Sequence, residues 1–218
     1  QTLSWLTLPR SDPRAHDSSG RNLPALIVCP TSLVRNWEAE AAKFTRHLKT
    51  LVVSGPERAK LFGSIPDYDI VITSYALLQR DFEQAYLNCD FSVVVLDEAQ
   101  HIKNRQTQNA KAAKGLHSIQ RLVLTGTPVE NHLGDLWSIG DFLNPGLFGS
   151  KQEFSEKCRE MAEKKNKGYL SGREIRAIAK ANAKEIKRLE AYKNRKADES
   201  EFITEMKDDA NILEIDGL

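Results

Sequence analysis

The feature that most constrains this chain is the run Phe91-Ser92-Val93-Val94-Val95-Leu96, followed without a break by Asp97-Glu98-Ala99-Gln100. Six mostly apolar and β-branched residues lead straight into two adjacent carboxylates. An apolar run this short, ended by charge, predicts a strand buried on both faces of a parallel sheet. The acids then stand at the strand's C-terminal edge, where open α/β sheets bind ligands. An Asp there can hold magnesium, which prefers hard oxygen ligands and dehydrates reluctantly. The adjacent Glu can orient or deprotonate a water for attack on a γ-phosphate. A plainer reading is that both acids merely cap the helix that follows.

With 218 residues, 40% of them hydrophobic, the chain can bury a sizeable core as one domain plus an extra element, or as two small domains. No apolar run approaches the roughly 18 residues of a membrane span, so no membrane partner is expected. The sequence begins with Gln1 and shows no leader pattern, which reads as an excerpt from a longer protein. Cys29, Cys89 and Cys158 are scattered, without metal-ligand spacing, and suit reduced thiols and a cytoplasmic location. A formal charge of +1 leaves any nucleic-acid contact to local patches.

Five short apolar runs predict strands: Leu23 to Cys29, Thr50 to Val53, Asp69 to Thr73, Phe91 to Leu96 and Gln120 to Leu124. Helices are expected between them. Gln1 to Leu8 could end one, and Ser11 to Asn22 reads as a surface loop. After Pro30, with Thr31 or Ser32 as cap, Leu33, Val34, Trp37, Ala41 and Phe44 fall on one helical stripe. Further helical stretches are Glu57 to Phe62, Ser74 to Leu87, a small-residue helix ending at Lys114, and His132 to Phe142. Strands alternating with helices predict a parallel sheet covered on both faces. Thr31-Ser32, Asp97-Glu98 and Thr125-Gly126-Thr127 would then share one rim.

Beyond Ser150 the composition changes. Lys151 to Lys196 holds 15 Lys/Arg against 7 Asp/Glu, and Asp198 to Asp216 holds 8 acids against Lys207 alone. Blocks of this kind are usually solvated faces, although opposite signs allow one to fold on the other and the basic block could lie on phosphates. Ser171-Gly172-Arg173-Glu174 is a capping box that predicts a helix with a weak apolar seam.

Five stretches taken together carry a resemblance: PALIVCPTSLVRNW (24–37), DIVITSYAL (69–77), VVVLDEAQHIKN (93–104), RLVLTGTP (121–128) and ENHLGDLWSIGDFLNPG (130–146). In this order and spacing the chain resembles the first RecA-like motor lobe of the Swi/Snf-type DNA translocases, in helicase superfamily two. The likeness covers residues 1 to about 155, leaving 156–218 as a charged helical tail or insertion. The resemblance implies a RecA-like fold of the P-loop NTPase type, with ATP and magnesium as ligands. It also implies double-stranded DNA held through its phosphate backbone, and a second motor lobe as partner. Asp97 and Glu98 match the Walker B acids, and Gln100 a residue that senses nucleotide state. Pro30, Thr31 and Ser32, with Arg35 and Trp37, match a first DNA-contacting motif; Thr73, Ser74 and Tyr75 match a second. Backbone N–H groups and hydroxyls at a helix start are suited to gripping phosphates without reading bases. Thr125, Gly126 and Thr127 match the motif that couples hydrolysis to DNA movement, and Glu130, Asn131, Asp135 and Trp137 the segment after it. Core packing is the alternative role for Trp37 and Trp137, and a strand-end turn for the threonines.

Two departures stand out. The Gly-x-x-x-x-Gly-Lys-Ser/Thr loop that cradles phosphates is absent, and so is the second lobe. In the family a Gln-Thr-Leu-like stretch follows that loop, and this sequence opens on Gln1-Thr2-Leu3, as if just past it. Alone, the chain is expected to bind nucleotide weakly and not to turn it over usefully. The leading expectation is part of an ATP-driven translocase, in the cytoplasm or, in a eukaryote, the nucleus. The alternatives are a non-catalytic relic that binds DNA or a partner, and an RNA helicase, against which the DEAQHIKN run and the Asn-Pro-Gly turn speak.

Overall fold

The computed structural model describes residues 2–6, 13–125 and 133–164. The strands are β1 (Ala25–Cys29), β2 (Thr50–Val52), β3 (Ile70–Ser74), β4 (Asp90–Asp97) and β5 (His117–Leu124). They form one sheet in the order β2-β3-β1-β4-β5, and every pairing is parallel. The helices are α1 (Thr2–Trp5), α2 (Val34–Phe44), α3 (Tyr75–Asp81), α4 (Gln108–Gly115), α5 (Leu133–Leu143) and α6 (Lys151–Lys164). By contacts the chain divides into Gln1–Pro145, which holds the sheet, and Gly146–Leu218.

The period-two alternation of a strand explains why β1 and β4 are apolar at nearly every position. Leu26, Val28, Phe91, Val94 and Leu96 enter one core with Tyr75 and Leu78 of α3, Ala110 and Ala113 of α4, and Ile139 and Phe142 of α5. Ala25, Ile27, Cys29, Val93 and Val95 enter a second core with Leu3 of α1 and with Val34 and Ala41 of α2. The sheet is therefore covered on both faces, as expected. Covering both faces removes water from the backbone ladder and leaves the strand tips as the place for polar chemistry.

Several details depart from the sequence reading. Phe44 closes the expected α2 stripe, yet its side chain is 56% exposed and Lys43 lies over its ring at 4.9 Å. Neither Thr31 nor Ser32 caps α2 with its side chain; a 3-10 turn, Thr31–Leu33, leads into the helix instead. The stretch expected as a helix from Glu57 is a longer 3-10 segment, Arg58–Asp67, with Pro66 inside it. The single helix expected from Ser74 to Leu87 breaks into α3 and a π turn at Phe82–Tyr86. At that junction Asp81, nearly buried, takes two hydrogen bonds from the Arg58 guanidinium, at 2.6 and 2.8 Å. A planar guanidinium fits a carboxylate in this two-point way, and the pair fastens the 3-10 segment to α3.

The second unit is described through α6. Its start is a reciprocal cap: Ser150 N–H donates to Glu153 Oε2 at 2.8 Å, and Glu153 N–H donates to Ser150 Oγ at 3.2 Å. Donation from the Ser150 N–H first, and from the Ser150 side chain second, holds the Glu153 carboxyl below its usual range. The helix expected after Ser171 and both charge blocks beyond residue 164 lie outside the described residues.

Candidate functional site

The register fixes which residues meet. Cys29 stands opposite Ser74, Val28 opposite Leu96, and Asp97 opposite Leu124. The tips of β1, β3, β4 and β5 therefore lie along one edge of the sheet. Asp97, Thr125, the Pro30–Ser32 turn and the Ser74–Tyr75 junction are all on that edge.

Asp97 is held from both sides of the sheet. Its Oδ2 accepts a hydrogen bond from Trp37 Nε1 of α2 at 2.8 Å, and its Oδ1 accepts from the Glu98 N–H at 3.0 Å. On the opposite face, Tyr75 at the start of α3 donates its hydroxyl to the Asp97 carbonyl at 2.9 Å. Among the described residues no cationic side chain pairs with Asp97; the donors that fix its carboxylate are neutral. Burial, the neighbouring charge of Asp97 and other acids nearby push the Tyr75 phenol well above its ordinary range, so it stays a donor.

Glu98 is the only non-glycine with a left-handed backbone among the described residues, at φ 52° and ψ 54°. Such a conformation costs on the order of 1–3 kcal/mol and persists where its surroundings hold it. It turns the chain off β4 into a 3-10 turn, Ala99–Ile102, and the Glu98 side chain makes no capping bond. The plain capping reading of this carboxylate is thus not what the structure has. Instead Glu98 Oε2 accepts from Gln100 Nε2 at 2.8 Å, and Gln100 Oε1 accepts from the Thr125 hydroxyl at 3.3 Å. This is a continuous path from the tip of β5 to the acid pair.

The DNA-contact candidates divide into two sets. Thr31, Ser32 and Arg35 are exposed, and Arg35 pairs with Glu38 at 2.7 Å on the surface of α2. Thr73 and Ser74 are buried: the Thr73 hydroxyl donates to the Val53 carbonyl at 3.2 Å, and Ser74 Oγ accepts from Leu77 N–H as the cap of α3. Their hydroxyls are used inside the lobe. Tyr75 and Trp37 also reach Asp97, and the half-buried Trp37 ring packs against the second core, in keeping with the core-packing reading of that residue. Trp137 is nearly buried, with the Lys114 ammonium 4.8 Å and the Arg105 guanidinium 5.5 Å from its ring centre. Gly126, Thr127, Glu130 and Asn131 lie outside the described residues, as does the side chain of Asp135.

Three participants had no assigned role in the sequence reading. His101 stacks on Tyr75 at 4.7 Å, bringing the turn after the acid pair against the start of α3. Arg121 of β5 donates to the carbonyls of Phe142 and Leu116, both at 2.8 Å, and so ties the edge strand to α5. Cys29 Sγ–H donates to the Thr73 carbonyl at 3.7 Å. Burial first, and the charge of Asp97 second, push the Cys29 thiol up to about 12. A thiol whose pKa is raised stays protonated, hence unreactive, at every pH below that value. Alkylation of the folded chain at pH 8 should leave Cys29 unmodified until denaturant is added; rapid labelling of Cys29 in the native state would contradict this placement.

The chemistry of the donor set suits magnesium in one specific sense. Among the described residues no group of three or more His, Cys, Asp or Glu could cage a metal. Magnesium bound through one or two carboxylates plus substrate phosphates needs no such cage, and Asp97 meets that requirement. No described helix is long and apolar enough to cross a membrane.

Comparison with known proteins accords with this geometry. The family described as the SNF2-related domain matches residues 1–196, beyond the reach of the five motifs above. The ATPase core of a Sulfolobus solfataricus SWI2/SNF2 protein, solved in complex with double-stranded DNA, superposes with a TM-score of 0.67 at 39% identity, covering 83% of this chain and 36% of that one. The putative ATP-dependent helicase/translocase YwqA of Bacillus subtilis is 34% identical over 91% of this chain and 22% of its own length. The TATA-binding protein-associated factor MOT1 of Saccharomyces cerevisiae is 42% identical over 63% of this chain and 7% of its own. The chain thus spans a small part of these relatives. With the parallel sheet, the acid-tipped strand β4 and a match over residues 1–196, this chain belongs to the SNF2-related domain family.

Proposed function

We propose that this chain is most of the first motor lobe of an ATP-driven translocase on double-stranded DNA. The observation that carries the reading is the rim itself. Asp97 is fixed by neutral donors, and Glu98 is linked through Gln100 to Thr125. In phosphoryl transfer the protein's contribution is chiefly positioning and charge stabilisation. Asp97 would hold magnesium through one carboxylate oxygen or an intervening water. When bound, magnesium neutralises charge on the β- and γ-phosphate oxygens. Glu98 orients the attacking water and accepts its proton. Gln100 holds the Glu98 carboxylate and reports its position to Thr125. Thr31, Ser32 and the turn that carries them face the duplex and grip phosphates, which gives little sequence preference and strong salt dependence. The DNA held by the Sulfolobus relative supports duplex over RNA as the track.

The test is the ATPase rate of the intact protein with and without duplex DNA, across a salt series. The reading expects stimulation by duplex of any sequence, weakening steeply as salt rises, and little by RNA. A rate indifferent to DNA overturns the coupling and favours a relic lobe.

A further inference from the structure

The indole of Trp37 is half-buried at the edge of α2, and its one polar atom is committed to Asp97 Oδ2 at 2.8 Å. Indole N–H groups in partly buried positions need such a partner. What matters is where the two ends sit. Trp37 lies one helical turn beyond the Pro30–Ser32 turn, whose exposed hydroxyls and Arg35 form the open face of the rim. Asp97 lies at the tip of β4, and among the described residues its other carboxylate oxygen is held only by the adjacent Glu98 N–H. Because side chains alternate along β4, Asp97 projects to the α2 face, the same face as Val95. On the opposite face Tyr75 fixes the Asp97 backbone, so the indole is the one side chain among the described residues that orients the carboxylate, beside the local Glu98 N–H.

We infer that Trp37 is a positioning residue for the metal-holding carboxylate, and that its indole N–H makes the orientation of Asp97 follow the placement of α2. The inference rests on the proposed reading of Asp97. A displacement of α2 would move the Nε1 donor and rotate the carboxylate against its metal. A grip on the phosphate rail at the start of α2 then bears on the acid pair directly, without passing through the Thr125–Gln100 path. Outer-shell partners that orient a ligating group typically change metal affinity by about 10–100-fold when removed.

The experiment uses the intact protein with a saturating non-hydrolysable ATP analogue, and reads Mn2+ affinity from the electron paramagnetic resonance signal of the free ion. Two replacements are made at Trp37. Trp37→Phe removes the donor together with part of the ring, and site-specific benzothienylalanine puts sulfur in place of N–H while keeping the ring's shape. Both should weaken Mn2+ binding about tenfold, and Asp97→Asn should weaken it at least as much. Loss in Asp97→Asn with unchanged affinity for the benzothienylalanine protein overturns the inference and leaves the proposed function standing. Unchanged affinity in Asp97→Asn overturns the metal reading itself. Loss in Trp37→Phe alone assigns the indole a packing role and also overturns the inference.

Discussion

Replacing Glu98 by Gln in the intact protein is expected to lower ATP hydrolysis about 10²–10⁴-fold, the range for loss of a general base. Nucleotide affinity should stay within a few-fold. The reasoning is local. A glutamine side chain has the same shape, can still take a hydrogen bond from Gln100 Nε2, and leaves the Asp97 carboxylate and its Trp37 partner in place. What is lost is a basic oxygen able to accept the water's proton. The left-handed backbone at Glu98 is a property of the turn, not of the carboxylate's charge, so the fold should be unaffected. Steady-state hydrolysis and nucleotide binding measured on the same preparation separate the two effects. A rate within tenfold of the parent would remove Glu98 from the chemistry.

The second large effect is on stability. Phe91 is fully buried at the start of β4 and packs into the core beneath α3, α4 and α5. Phe91→Ala should cost about 3–5 kcal/mol, because the transfer free energy of the ring is lost and the cavity collapses only partly. Against a typical total of roughly 5–15 kcal/mol this is a severe loss. Phe44→Ala is the matched control: that ring is 56% exposed, and surface changes of this kind usually stay within about 0.5 kcal/mol. Urea unfolding of both variants decides the matter. Similar midpoints for the two would mean that the apolar stripe of α2, and not the face of β4, carries the core.

These two phenylalanines also show what a sequence can and cannot convey. Phe91 opens a run that is apolar but for Ser92, and burial on both faces follows from that pattern. Phe44 fits a helical stripe equally well, but it is the last residue of α2 and stands 56% exposed. Periodicity marks a face; it does not mark how far the opposing surface extends. The sheet and its parallel sense were legible from strands alternating with helices, and the gathering of Asp97, Thr125 and Thr31 at one rim from three strands that end in polar or acidic residues. Thr73, Ser74 and Tyr75 were legible as a motif but not as a geometry, because a hydroxyl at a strand tip can face out or in. Here the internal acceptors, the Val53 and Asp97 carbonyls, take those of Thr73 and Tyr75. The Trp37–Asp97 bond spans 60 residues of sequence. No spacing rule foretells it, although an indole on the inner stripe of α2 calls for a hydrogen-bond partner near the strand tips. The Arg58–Asp81 pair, which marks the break between α3 and the π turn, is likewise invisible before the fold brings the 3-10 segment alongside.

The claim on which the rest depends is that the acid pair and the rim hydroxyls convert nucleotide hydrolysis into movement along a duplex. Displacement of a third strand from a DNA triplex by the intact protein measures that movement directly. The account predicts ATP-dependent displacement that disappears in Glu98→Gln while duplex binding persists. Duplex-stimulated hydrolysis with no displacement, or displacement that survives Glu98→Gln, would contradict it.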